Sequence, residues 1–489
     1  MTNPPDKNEQ MGDRTKKGLR AIDYIREHCI EQRLVEYIGQ VVHGRPQDPY
    51  GVMANEFASQ SKPPTVSFLR GHEVLLSTGR PTLSVEVYAS MLGREKLAGV
   101  ASAPLGTSVF SQELKPHLDT NSTRFIGMGS KNACSFVEVV SVALRGKPFA
   151  TIDQFDMVTK KALEGKNGIV NVLSAISFSL AIASAEILHQ PLFLYLYNSF
   201  YPQQAADHFT MPTPVITVLE GGLHSQSPMS FESIMIIPKS SLSFIEQLRV
   251  CSEVTDRLKQ KLYGDQQYYP VGKSGGLVFD SPVVATAVQT VERAIIESGF
   301  TTSNDFTIGL DCAASYFYDA ETQKYQVEKG VSKTSAELVQ YYIDLITQHK
   351  AITLINDGIS EVDHGGWELI RDALMNRIKV FGGDIYASQS ILARRGLKKK
   401  WTDGILLQLG QAGTLTDASE TAKLFKQRGK QVAVGRRSGE TCDTILADFS
   451  VAIQSEFFMA GGLNGAEGTS KYNQMLRIYE YLRDRSMLL

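Results

Sequence analysis

The chain has 489 residues, more than one hydrophobic core usually organises, so two or more domains are expected. Its 50 Lys and Arg against 52 Asp and Glu leave a formal charge of -2, which argues against nucleic-acid binding by general electrostatics and against a membrane-surface role. Its five cysteines (Cys29, Cys134, Cys251, Cys312 and Cys442) are odd in number and form no Cys-x-x-Cys pair, which points to reduced thiols without a disulfide framework or zinc site. The start, MTNPPDKNEQMGDRTKK, is too polar for a signal peptide and no apolar run reads as a membrane span, so a soluble cytoplasmic protein is expected.

Residues 1–18 are polar, with Pro4, Pro5 and Gly12, and are expected to be a disordered tail. From His28 to Gly44 the apolar residues Ile30, Leu34, Ile38, Val41 and Val42 recur at helical spacing, and Gly44 is expected to end the helix. After Arg45 and Pro46, Asp48 followed by Pro49 predicts a second helix start, with the carboxylate as cap and the proline at the first helical position. This second helix, PYGVMANEFAS, carries Val52, Met53 and Phe57. Two short helices of about 30 residues cannot bury enough surface to stand alone. They must fold back on a larger domain or serve as an oligomerisation module.

SQSKPPTVS then reads as a linker, placed at 61–67. Residues from Phe68 to about Val100 are strand-rich: Leu83, Val85 and Val87 alternate with Ser84, Glu86 and Tyr88, as on a half-buried antiparallel strand. Helical patterning dominates from about 150 to 200. Beyond 212, apolar strands at Ile234–Ile237, Ile308–Leu310, Ile352–Ile355, Lys379–Phe381, Ile405–Leu407 and Val432–Val434 alternate with helix-length segments. That alternation predicts a parallel (β/α) barrel with its chemistry at the strands' C-terminal ends.

Two resemblances follow from these residues. The amphipathic helix followed by RPQDPYGVMANEF resembles the RIIa/Dpy-30 docking and dimerisation fold, whose turn reads Arg-Pro-x-Asp-Pro, over residues 19–60. It implies a homodimer, or capture of the amphipathic helix of an anchoring or axonemal protein, through Ile30, Leu34, Ile38, Val41, Arg45, Pro46, Asp48, Pro49, Val52 and Met53. From about residue 68, the ordered motifs VLEGGLHS, VGKSGGL, IGLDCAAS, LINDG, FGGDI, LLQLGQAGTL, GRRSGETCDTILADF and SKYNQMLRI resemble enolase (phosphopyruvate hydratase). The implied architecture is α/β and enolase-like: a small N-terminal α+β domain at 68–208 and a C-terminal (β/α) barrel at 209–489, preceded by the helix-turn-helix arm.

Enolases remove the proton beside a carboxylate, which requires a base, an acid and divalent cations that hold the doubly charged enolate. By resemblance, the lysine base falls at Gln408, the acid glutamate at Ser274 beside Lys273, and a second substrate lysine at Met459. Of the three metal carboxylates one is kept as Asp311, while the others become Asn356 and Gly383; Asp384 is a poor substitute if strand alternation turns it away. The metal-binding serine of a flexible loop falls near Leu105. His224 matches a loop histidine, and Arg437 and Ser438 match the pair that grips phosphate, with Arg436 where enolases carry histidine.

No functional catalytic residue is therefore expected and no cofactor, with Mg²⁺ only if residual activity exists. Gln408 is expected to pack in a filled barrel mouth, with a retained anion pocket as the other reading. The combination is similar to divergent sperm-type enolases and implies a scaffold of the cilium or flagellum axoneme. The alternatives are a weak phosphopyruvate hydratase and a non-catalytic phosphometabolite sensor. VGKSGG is not a phosphate-binding P-loop, because the required upstream glycine is Gln267. The cluster Arg394, Arg395, Lys398, Lys399 and Lys400 reads as a solvated helix face, with a microtubule contact as the alternative.

Overall fold

The computed structural model describes residues 20–106, 112–328 and 330–489, so the tail expected at 1–18 lies outside the described residues. The described residues fall into two compact units: one takes in those up to Pro64 with Ser90–Arg94, the other those of Thr65–Ala89 and Glu95–Leu489.

In the first unit, helical backbone over residues 20–27 breaks at a left-handed Cys29 (φ 51°) and restarts as the helix Ile30–Gly44. Arg45, not Gly44, closes it by turning left-handed and donating its amide to the Val41 carbonyl. Asp48 caps the next helix, Pro49–Ser59, by accepting a 2.8 Å hydrogen bond from the Gly51 amide, with Pro49 in its first turn. Tyr37 is the buried side chain of the first helix and meets Phe57 edge to face at 5.0 Å. The apolar stripe read from the sequence is largely exposed: Leu34 at 37%, Ile38 at 49% and Val42 at 67%.

The second unit begins with a three-stranded sheet in the order β1 (Thr65–Leu75), β2 (Pro81–Met91) and β3 (Arg94–Ser102). Leu83, Val85 and Val87 of β2 are buried. Helices Ala133–Leu144, Ile152–Ala162, Val170–Ile187 and Leu192–Phe200 complete this N-terminal domain. Contrary to the sequence expectation, Val170–Ile187 has the length and apolar character of a membrane span. Most of its side chains are nonetheless buried, and its Ser174 and Ser177 bond the Gly413 carbonyl and the Leu415 amide of the barrel.

The barrel contains β4 (Thr213–Glu220), β5 (Ser233–Pro238), the two-residue β6 (Leu277–Val278), β7 (Phe306–Asp311), a small side sheet of β8 (Tyr318–Asp319), β9 (Lys324–Glu328) and β10 (Val331–Lys333), then β11 (Ile352–Asn356), β12 (Lys379–Gly382), β13 (Gly404–Gln408), β14 (Gln431–Gly435) and β15 (Phe457–Gly461). Pairing of β15 with β4 closes eight strands into a ring in the order β4, β5, β7, β11, β12, β13, β14, β15. All six strands expected from the sequence are present, and β4 and β15 complete the count.

The ring is not wholly parallel, because β5 runs against β4 and β7. The connection from β4 to β5 holds only a short 3-10 turn at Gly222–His224, and a link without a crossover helix joins antiparallel strands. Helices including Phe244–Tyr263, Ser335–Gln348, Leu415–Lys426 and Ala466–Asp484 alternate with the strands. Inside the ring Val215, Met235, Ile237, Leu354, Phe381, Leu406, Ala433 and Met459 pack as one apolar layer. The strand ends above it form the site.

Candidate functional site

The sequence-based expectation of a filled mouth is not met. A cavity of about 90 Å³ lies among the strand ends, lined by Asp311, Asn356, Gly383, Gln408, Arg437, Ser438, Met459 and neighbours that are mostly polar. Such a space holds several waters or a small anion. The strand ends brought their polar residues together as the barrel geometry requires, and the cavity persists because these side chains bond to one another around it rather than collapsing into it.

Gln408 ends β13, where its backbone amide donates to Ser388 Oγ at 2.9 Å. Both ends of its side-chain amide are engaged: Nε2 donates to the Arg436 carbonyl at 2.8 Å and Oε1 accepts from Arg437 Nη1 at 3.1 Å. A lysine here would set an ammonium beside the Arg437 guanidinium; glutamine instead accepts from it. Gln408 also begins the segment that ties the barrel to the N-terminal domain. Gln411 Nε2 donates to Glu113, and the amide and hydroxyl of Thr416 both donate to buried Asp156.

Arg437 is buried at 7% exposure, as is Glu113, and the two form a bidentate pair with Nη1 to Oε1 at 3.0 Å and Nη2 to Oε2 at 2.9 Å. Burial would lower the arginine's pKa, but the Glu113 charge outweighs it and holds the guanidinium above its ordinary value. Arg436 turns the other way: its Nε donates to the Arg437 carbonyl and its Nη2 to the Lys273 carbonyl at 3.0 Å. Ser438 lines the cavity beside them.

The acidic residues are more numerous than the sequence comparison implied. Asp357, Asp384 and Glu232 line the same cavity as Asp311. Asp384 is a correction: it lies two residues beyond Gly382, the last residue of β12, in a turn where Tyr386 and Ala387 bond back to the Gly383 carbonyl, so strand alternation does not apply to it. At Gly383 a Cβ would lie 2.8 Å from Asp357 Oδ2, so the Asp357 carboxylate fills the space a side chain there would need. The Gly383 amide donates to Asp357 at 2.8 Å, and Asp357 itself is left-handed (φ 45°), a conformation that aspartate tolerates better than most residues. Burial raises the carboxyl pKa of Asp311, Asp357, Asp384 and Glu232, and for the last three the neighbouring carboxylates add to it.

These residues do not fit the magnesium centre implied by the resemblance. Asn356 Nδ2 donates to Asp311 Oδ1 and to Asp357 Oδ2, each at 3.0 Å, so an amide donor lies between the two carboxylates where a cation would draw them together. Among the described residues no three acidic, histidine or cysteine side chains converge as ligands.

Ser274 meets Glu220 through its backbone. The Ser274 amide lies 2.9 Å from both carboxylate oxygens and the Gly276 amide donates at 3.1 Å, so VGKSGG is a nest for Glu220. A Cβ on Gly272 would collide with that carboxylate at 2.3 Å. Burial pushes the Glu220 pKa up to about 7, against the pull of those two amides. Met459 belongs to the apolar layer and also reaches the cavity floor. His224 lies in the turn after β4. Leu105 exchanges two backbone hydrogen bonds with Gly439, which brings Gly106 to the cavity wall.

Glu113, Glu220, Glu232 and Asp357 were missed in the sequence. For Asp357 its place beside Asn356 was a usable signal; Glu113 is 324 positions from Arg437, and no local pattern joins them.

Residues 66–196 match the enolase N-terminal domain, and residues 208–488 match the enolase C-terminal TIM barrel domain. Together with the closed ring and its antiparallel second strand, these matches show that the chain belongs to the enolase family.

Proposed function

We propose that this chain is a non-catalytic enolase-fold scaffold that works through its N-terminal helical arm. The observation that carries the reading is Gln408. It stands where the resemblance places the proton-abstracting lysine, and both ends of its amide are committed to Arg436 and Arg437. Loss of a general base alone costs about 10² to 10⁴ in rate. A missing metal removes several kcal/mol of charge stabilisation, and Met459 brings no charge at the second lysine position.

The arm supports the other half of the proposal. Leu34, Ile38 and Val42 keep one apolar side of Ile30–Gly44 in water, the arrangement that a partner's amphipathic helix or a second copy would cover. The resemblance to RIIa/Dpy-30 modules and to sperm-type enolases extends this reading to a homodimer, an anchoring protein and an axonemal location. A coupled assay of the purified chain with 2-phosphoglycerate and Mg²⁺ tests the catalytic half. No turnover is expected, and a rate within about 100-fold of ordinary enzyme values of ~1–10³ s⁻¹ would overturn it in favour of a working hydratase.

A further inference from the structure

We infer that Glu113 is a built-in ligand of the Arg437 anion site: its carboxylate occupies the guanidinium face that a small oxyanion would take, so the mouth binds such an anion only when Glu113 is displaced or removed. The two-point geometry of Arg437 on Glu113, at 3.0 and 2.9 Å, is the one by which arginine holds carboxylate and phosphate alike. Glu113 is also aimed from behind. Gln411 Nε2 donates to it at 2.6 Å, and Gln411 Oε1 is itself fixed by Ser388 Oγ at 3.0 Å. The arginine is aimed by the same cluster, since Gln408 Oε1 accepts from its Nη1 and Glu440 Oε1 accepts from its backbone amide at 2.9 Å.

The space around the pair fits an exchange of one anion for another. Glu113 and Arg437 line both the polar mouth of about 90 Å³ and an adjoining, largely apolar cavity of about 70 Å³ walled by Leu76, Leu105, Leu114 and Met128. The ion pair is thus the partition between them. Removing the carboxylate leaves a buried guanidinium facing a cavity already lined by Ser438 and Arg436, and an unpaired buried charge is costly enough to recruit a counter-ion. This inference goes beyond the non-catalytic reading and does not depend on it.

The test is calorimetric titration of the full chain with inorganic phosphate. The wild type is expected to show no saturable binding at millimolar phosphate. Glu113→Gln, which removes the charge but keeps the shape, is expected to bind at least about tenfold more tightly. The double variant Glu113→Gln/Arg437→Gln should lose that gain. A folded Glu113→Gln no better than wild type, a wild type that already binds as well, or a gain that survives in the double variant would each overturn the inference. Should Glu113→Gln not fold, Glu113→Asp keeps the charge while shortening its reach. Its melting temperature should then rise with phosphate more than that of wild type, and an unchanged response would overturn the inference. Turnover by the wild-type chain would sink the non-catalytic reading and leave this result untouched.

Discussion

The helical arm keeps apolar side chains in water, whereas the barrel mouth keeps charged side chains out of it. Each reverses the usual preference, and each is tolerated for a different reason. In the arm the cost is modest and a partner can remove it, because apolar groups gain when any apolar surface covers them. In the mouth the cost would be prohibitive without internal partners, and nearly every buried charge has one: Glu113 on Arg437, Asp311 and Asp357 on Asn356, Glu220 on two backbone amides. The arm leaves its apolar side chains exposed, and the mouth pairs its charged ones within.

The largest effect that would break this comparison lies at the mouth. Arg437→Ala leaves the Glu113 carboxylate buried and unpaired, and should cost about 3–5 kcal/mol in denaturant unfolding, as breaking a buried pair does. A loss of less than about 1 kcal/mol would mean the pair is screened by solvent. The arm should respond next: Leu34→Asp with Ile38→Asp is expected to weaken self-association at least about 100-fold in sedimentation experiments, without moving the barrel's melting. Unchanged association would place any dimer contact elsewhere.

A pH dependence should follow from the buried acids. Burial raises Asp156 to about 6 and Asp448 and Glu220 to about 7, above the ordinary carboxyl value of about 4. The folded state therefore binds protons more tightly than the unfolded one at these sites. Their stabilising contribution is complete below about pH 4 and is lost as pH rises through 6 and 7. Melting temperature should fall by a few degrees from pH 5 to pH 8, and Asp448→Asn should flatten that slope; a rise across the window would contradict it. The smallest expected change is Asp48→Ala, worth about 1 kcal/mol through the cap on Pro49–Ser59, read as weaker hydrogen-exchange protection of the arm alone.

Much of the frame was legible before the structure. The run Ile405–Leu407 predicted β13, and the pair Asp48–Pro49 predicted its helix start, because both signals are local. β4 was harder to see: its Pro214 and Thr217 interrupt the apolar run. The reading of Asp384 failed because period-two reasoning was carried past the last residue of a strand. The apolar stripe was correctly located on its helix, but the pattern could not tell that Tyr37 would be buried while Leu34 and Ile38 stayed exposed.

The sequence by itself determined the family's architecture, the Asp48 cap and the glutamine at position 408, since each depends on residue type and short-range spacing. Only the tertiary structure decided how the polar residues of the barrel mouth pair with one another. Gln408 bridges Arg436 and Arg437 by hydrogen bonds, the Asp357 carboxylate fills the space over Gly383, and Glu113 reaches Arg437 across 324 residues of chain. Electrostatic pairing is settled by distances of about 3 Å in space, and no period or spacing along the chain encodes those.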